Sequence, residues 1–255
     1  MKILIGLITA VLIFASPVHA REITDMTGKK VSIPDKINKV FSGSPALTYM
    51  IYAIDPDLLS GLNYRLTSEE KEYLNIKIQE LPVLGGFYGQ GNIANVEMIL
   101  NASPDIIFLW VDNKNGISKN TEKIMMKSLP IPAVNVVLED IDDYGEAFLF
   151  MGEVLGRQER GRLLRDYADD TLRKVKETLE TIPEDQRPRV YYAEGNDGLN
   201  TECDNSWHSE IISIAGAKNV YHCESRDSYG MEKINIEQVM SYNPDVIVAR
   251  EKAFY

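Results

Sequence analysis

The feature that most constrains the fold is an internal repeat. Asn95-Val96-Glu97-Met98-Ile99-Leu100-Asn101-Ala102-Ser103-Pro104-Asp105-Ile106-Ile107 returns 140 positions later as Asn235-Ile236-Glu237-Gln238-Val239-Met240-Ser241-Tyr242-Asn243-Pro244-Asp245-Val246-Ile247. Asn, Glu, Pro, Asp and the last Ile coincide, and most apolar positions match in kind. Each copy predicts a short helix capped by Asn, stopped before Pro, then a buried strand starting near Asp105 or Asp245. Upstream, Lys39-Val40-Phe41-Ser42 and Arg189-Val190-Tyr191-Tyr192-Ala193 each predict a strand. The first leads through Gly43-Ser44-Pro45 into a helix over 46–54, and the second through a longer loop, 194–206, into a helix over 207–215 capped by Ser206. Strand-loop-helix followed by helix-strand, met twice, predicts an α/β chain of two lobes, each with a parallel sheet and crossover helices.

Between the halves, Leu163, Leu164, Tyr167, Ala168, Leu172, Val175, Leu179 and Ile182 recur at three- and four-residue steps among charged positions. They predict one long amphipathic helix over 159–182, about 36 Å long. Such a spacer resists hinge bending, so closure around a ligand should be modest. The expected organisation is a signal peptide over 1–20, a first lobe over 21–157, the interdomain helix with its flanks over 158–187, and a second lobe over 188–255. The first lobe continues past its repeat with a helix near 122–128 and a strand over 133–138, whereas the second has eight residues after Ile247. The expectation is a second lobe that lacks part of its cover.

Lys2, the apolar run 3–15 and Val18-His19-Ala20 form the pattern of a secretory signal cleaved after Ala20. Thirteen residues make about 20 Å of helix, short of the roughly 30 Å hydrocarbon core. No Cys lies near the cleavage point, so a soluble periplasmic monomer without membrane insertion is expected. Formal net charge is −11, becoming −12 without Lys2, which argues against nucleic acid or an anionic membrane as partner. Cys203 and Cys223 are the only cysteines, and in an oxidising compartment they are expected to pair. A zinc site with His208 and His222 is the competing reading, although the spacings fit no zinc-finger pattern.

Ligands of open parallel sheets bind beyond the carboxyl ends of the strands. This directs attention to loops 42–45, 85–91, 110–116, 194–208 and 250–255. The candidate ligand contacts are Ser44, Tyr88 and Gln90 of the glycine-rich segment, Trp110, Trp207, His208 and Arg250. Trp110 and Arg250 occupy equivalent places in the repeat. Aromatic faces and a guanidinium suit a planar or anionic ligand. Gly-x-Ser-x-Gly, His-Glu-x-x-His and Cys-x-x-Cys are absent from the sequence, so no catalytic residue and no cofactor are assigned, and a metal-dependent enzyme is the remote alternative.

Taken together, the opening Ile23-Thr24-Asp25-Met26-Thr27-Gly28-Lys29-Lys30-Val31-Ser32-Ile33-Pro34, the Gly-Phe-Tyr-Gly-Gln-Gly segment followed by Asn-x-Glu, both Pro-Asp strands, the long helix and Gly216-Ala217-Lys218-Asn219-Val220 resemble class III periplasmic substrate-binding proteins. These serve ABC importers of iron-siderophores, haem, cobalamin and some metal oxyanions. The resemblance implies a ligand held between two lobes and delivery to permease subunits. It also implies docking on the permease through one glutamate per lobe, here Glu97 and Glu237. A chelated metal, with His208 touching the metal only through the bound chelate, is the expected ligand, and molybdate or tungstate the alternative.

Overall fold

A computed structural model describes residues 19–88, 93–112, 127, 129–203, 206–223 and 231–251. The signal-peptide core, the expected helix near 122–128 apart from Lys127, and Gln90 lie outside the described residues. Among the described residues no helix is long and apolar enough to cross a membrane.

The chain opens with an antiparallel hairpin, β1 (Ala20–Thr24) and β2 (Lys30–Pro34). Asp25 closes its turn: Oδ1 accepts from the backbone N–H of Thr27 and Lys29, and Oδ2 from the Asn135 amide at 2.8 Å. The turn is thereby tied to the sheet. β3 (Val40–Ser42) leads into α1 (Pro45–Ile54), where Pro45 fits the first turn and Ser44 caps it, its Oγ accepting from Leu47 N–H. Two short helices follow, α2 (Ser68–Tyr73) and α3 (Ile76–Gln79), and then the first repeat copy, α4 (Val96–Ala102) with β4 (Ile106–Val111). With β5 (Ala133–Val137) the parallel sheet is ordered β3-β4-β5. Because side chains alternate along a strand, β4 feeds two cores. Ile106 and Phe108 join Leu47, Ile51 and Met151 on one face, and Ile107 and Leu109 join Phe41, Leu84 and Ile99 on the other.

α5 (Tyr144–Val154) and α6 (Gln158–Glu180) form a helical hairpin. The sequence pattern does not separate α5 from the loop before the spacer. The expected stripe on α6 holds at Leu164, Ala168, Leu172, Val175 and Leu179, which are half-buried, but Leu163, Tyr167 and Ile182 are exposed. The stripe is narrower because α6 is covered along one side only. Gly161 is its fully buried residue.

The second lobe is built on β6 (Arg189–Ala193), flanked in a parallel sheet by β8 (Lys218–Asn219) and β10 (Val246–Ala249). β7 (Asn200–Thr201) pairs antiparallel with β9 (Glu232–Lys233). The helix expected over 207–215 forms only as α7 (Glu210–Ile214), which Ser206 does not cap. The Ser206 hydroxyl instead bonds the Glu202 carboxylate and the Ser209 N–H, holding 206–209 as a turn. α8 (Ile236–Tyr242) completes the second repeat copy.

The two copies share their hydrogen bonds. Asn95 accepts from Met98 N–H and Asn235 from Gln238 N–H, and both helices end on a left-handed residue, Ser103 or Asn243. The repeated Asp then clamps the neighbouring strand: Asp105 Oδ2 accepts from Lys39 N–H at 2.9 Å, and Asp245 Oδ2 from Arg189 N–H at 2.8 Å.

Candidate functional site

The carboxyl ends of β4, β6 and β10 bring the chemistry together. Trp110 is the penultimate residue of β4, its indole N–H bonded to the Leu138 carbonyl at 2.8 Å. Its ring meets Tyr88 edge-on at 5.6 Å and Trp207 of the other lobe at 4.4 Å. Trp207 in turn donates to the buried Asp112 at 2.9 Å, so the indole pair and this bond join the lobes. Trp207 also lines a groove of about 450 Å³ with Tyr144, Phe148, Tyr167 and Ile211 on the spacer side.

Beside this aromatic set is a polar cluster that belongs to the second lobe. Glu194 directly follows β6 and is fully buried, and its Oε1 accepts from Arg250 Nη1 at 2.9 Å. Arg250 reaches it because its own N–H bonds to Ala193 O at the end of β10. Glu202, 1% exposed, bonds His208 Nδ1 at 2.7 Å through Oε1 and the Ser206 hydroxyl through Oε2, and its carbonyl accepts from Asn219. Burial, reinforced by Glu202, pushes the Glu194 carboxyl above the usual range. Burial acts on Glu202 too, but hydrogen bonds from His208 and Ser206 overcome it and hold its carboxyl down. The bond to Glu202 raises His208 against the opposing effect of burial. Cys203 and Cys223 are joined, with 5.5 Å between Cα atoms, and so anchor the loop that carries Glu202.

Of the sequence-predicted residues, Tyr88, Trp110 and Trp207 form one aromatic set, while His208 and Arg250 lie in the polar cluster. Ser44 is not offered to a ligand: it is 1% exposed and its hydroxyl caps α1. Its place at the end of β3 makes it a candidate by sequence, but proline at the next position commits the loop to helix initiation. Glu97 and Glu237 are exposed in the first turns of α4 and α8. Glu194, Glu202 and Asp112 escape the sequence reading. The signal for Glu194 is its position directly after a strand; Glu202 carries none, since its partners are set by the loop's path.

A family profile described as periplasmic binding protein matches residues 85–254. A solved ABC transporter solute binding protein from Sulfurospirillum deleyianum DSM 6946 is 36% identical, over 92% of this chain and 73% of that one, with a TM-score of 0.84. The molybdate-binding protein MolA of Haemophilus influenzae is 23% identical over 91% of this chain and 69% of its own length. The periplasmic vitamin B12 binding protein BtuF of Vibrio cholerae is similar in fold at 21% identity, covering 86% of this chain and 78% of its own, with a TM-score of 0.65.

Proposed function

Since this chain belongs to the periplasmic binding protein family, the substrate-binding components of ABC importers, we propose that its ligand is a chelated metal, of ferric siderophore, haem or cobalamin type. The observation that carries this reading is the pairing of the cleft's cations. Arg250 is matched by buried Glu194, and His208 by buried Glu202, with Asp112 a further buried carboxylate nearby. Among the described residues little net positive charge is left for a free oxyanion, whereas the edges and faces of Tyr88, Trp110 and Trp207 suit a large, partly apolar chelate. His208 then touches the metal only through the chelate, and Arg250, with donors beyond the one given to Glu194, meets its acidic groups.

Molybdate or tungstate is the competing ligand, in keeping with the name of the Haemophilus relative. The two separate in a thermal-shift screen of ligand-stripped protein against a ferric hydroxamate, a ferric catecholate, haem, cobalamin, molybdate and tungstate. A ligand at about 100 times its Kd adds about 2.7 kcal/mol of stability, a shift of several degrees. One chelate class is expected to give that shift, and Trp110→Ala to reduce affinity about tenfold or more. Stabilisation by oxyanions alone would overturn the chelate reading.

Delivery to the permease is what the family resemblance implies, and the repeat supplies the positions. Glu97 and Glu237, one on each lobe, contact the permease of the importer, and removal of residues 1–20 on export leaves the protein, as a monomer, in the periplasm.

A further inference from the structure

We propose that Glu194, Glu202 and His208 form a binding site for a divalent first-row transition-metal cation, ligated directly by the protein's own side chains. The site begins with an unsatisfied atom. Glu194 is fully buried and spends Oε1 on Arg250, while no N–H or hydroxyl among the described residues donates to its Oε2, and the Glu202 carboxylate stands beside it. A buried carboxylate oxygen that no donor reaches is costly to keep charged. A cation at this point would remove that cost.

The surroundings supply the other ligands. One carboxylate oxygen each from Glu194 and Glu202 and one imidazole nitrogen of His208 lie within 4.8 Å of one another. Ligands of a tetrahedral Zn²⁺, at about 2.0–2.2 Å from the ion, stand about 3.4 Å apart, so small side-chain rotations close the set. Two carboxylates and an imidazole suit Zn²⁺, Mn²⁺, Fe²⁺ or Co²⁺; Ca²⁺ and Mg²⁺ call for more oxygens than three residues give. The groups are also well supported. Ser206 bonds Glu202, Arg250 holds Glu194, and the joined Cys203 and Cys223 anchor the loop. His208, with its side chain 53% exposed, gives the site its opening to solvent. Three protein ligands leave a fourth position open.

This site lies within the second lobe and shares His208 and, through Glu194, Arg250 with the proposed chelate contacts, so it is tested with metal alone and no chelate present, and its failure leaves the ligand reading standing. The test is titration of the chelator-stripped full chain with Zn²⁺ by calorimetry and with Co²⁺ by visible absorption, no other ligand being present. One ion per chain is expected, with a Kd in the micromolar range or tighter and Co²⁺ bands of low coordination number. Glu194→Gln, Glu202→Gln and His208→Gln should each weaken binding at least tenfold, and Glu232→Gln, beside the cysteines, should leave it unchanged. His208→Gln alters an exposed side chain and decides the matter even where Glu194→Gln does not fold. Absence of binding at 100 µM metal, in the sense of about a hundredfold weaker than expected, overturns the proposal. Binding that survives His208→Gln, or that is lost in Glu232→Gln instead, does so as well.

Discussion

Asp25 shows how much one side chain fixes. Burial disfavours its charge, yet bonds from Thr27, Lys29 and Asn135 prevail and its carboxyl sits below the ordinary 3.8. A depressed folded-state value contributes stability that is present above 3.8 and is lost as pH falls through that depressed value. Asp25→Asn should therefore be about 2 kcal/mol less stable near neutrality, by the usual worth of hydrogen bonds to a charged group. In urea midpoints measured from pH 2 to 6, the gap to wild type should narrow as the acid limb is entered. Parallel curves would show that the carboxylate form is not what the turn requires. Asp25 lies within the opening segment that carries the family resemblance, but its bond to Asn135 spans 110 positions and has no local signature. Asp105 and Asp245 differ in this respect. The repeat alone singles them out, and the clamp each makes on the neighbouring strand supplies the physical reason.

At the scale of elements, the hairpin of α5 and α6 depends on two glycines. A Cβ on Gly161 would stand 2.8 Å from the Phe148 carbonyl oxygen and 3.0 Å from Gly152 Cα. Both are backbone atoms, which cannot yield as a flexible side chain would. Gly161→Ala should push the helices apart and cost about 1–3 kcal/mol despite the better helix propensity of alanine. Thermal melting checks this, and an unchanged or raised midpoint would refute the close crossing. The apolar stripe of α6 is readable because 3.6-residue periodicity is a local property. α5 is not: Gly145 and Gly152 weaken its helical pattern, and their value lies in what they let approach. α7 falls short of its expected length for a related reason, since Ser206 and Ser209 bond the loop of Glu202 and Cys203 in place of the helix.

For the whole molecule, the paired placement of Glu97 and Glu237 leads to a prediction about transport. Charge reversal of both should reduce uptake by the importer at least tenfold while leaving ligand affinity within about twofold, as expected for exposed groups outside the cleft. Uptake assays in cells, set beside binding to the purified protein, measure the two quantities separately. Lost affinity, or uptake at the wild-type level, would remove these residues from the docking surface.

The repeat, the Asn caps, the Pro-Asp strand starts and the α/β alternation can be read from the sequence because each is a local pattern with its own conformational preference. The two parallel sheets and the carboxyl-end location of the candidate site follow from them. Tertiary structure decided the rest. Glu194 meets Arg250 across 56 positions, and Trp207 meets Asp112 across 95. Local preference does not encode such distances; they arise only when packing determines which strand ends share one side of the molecule.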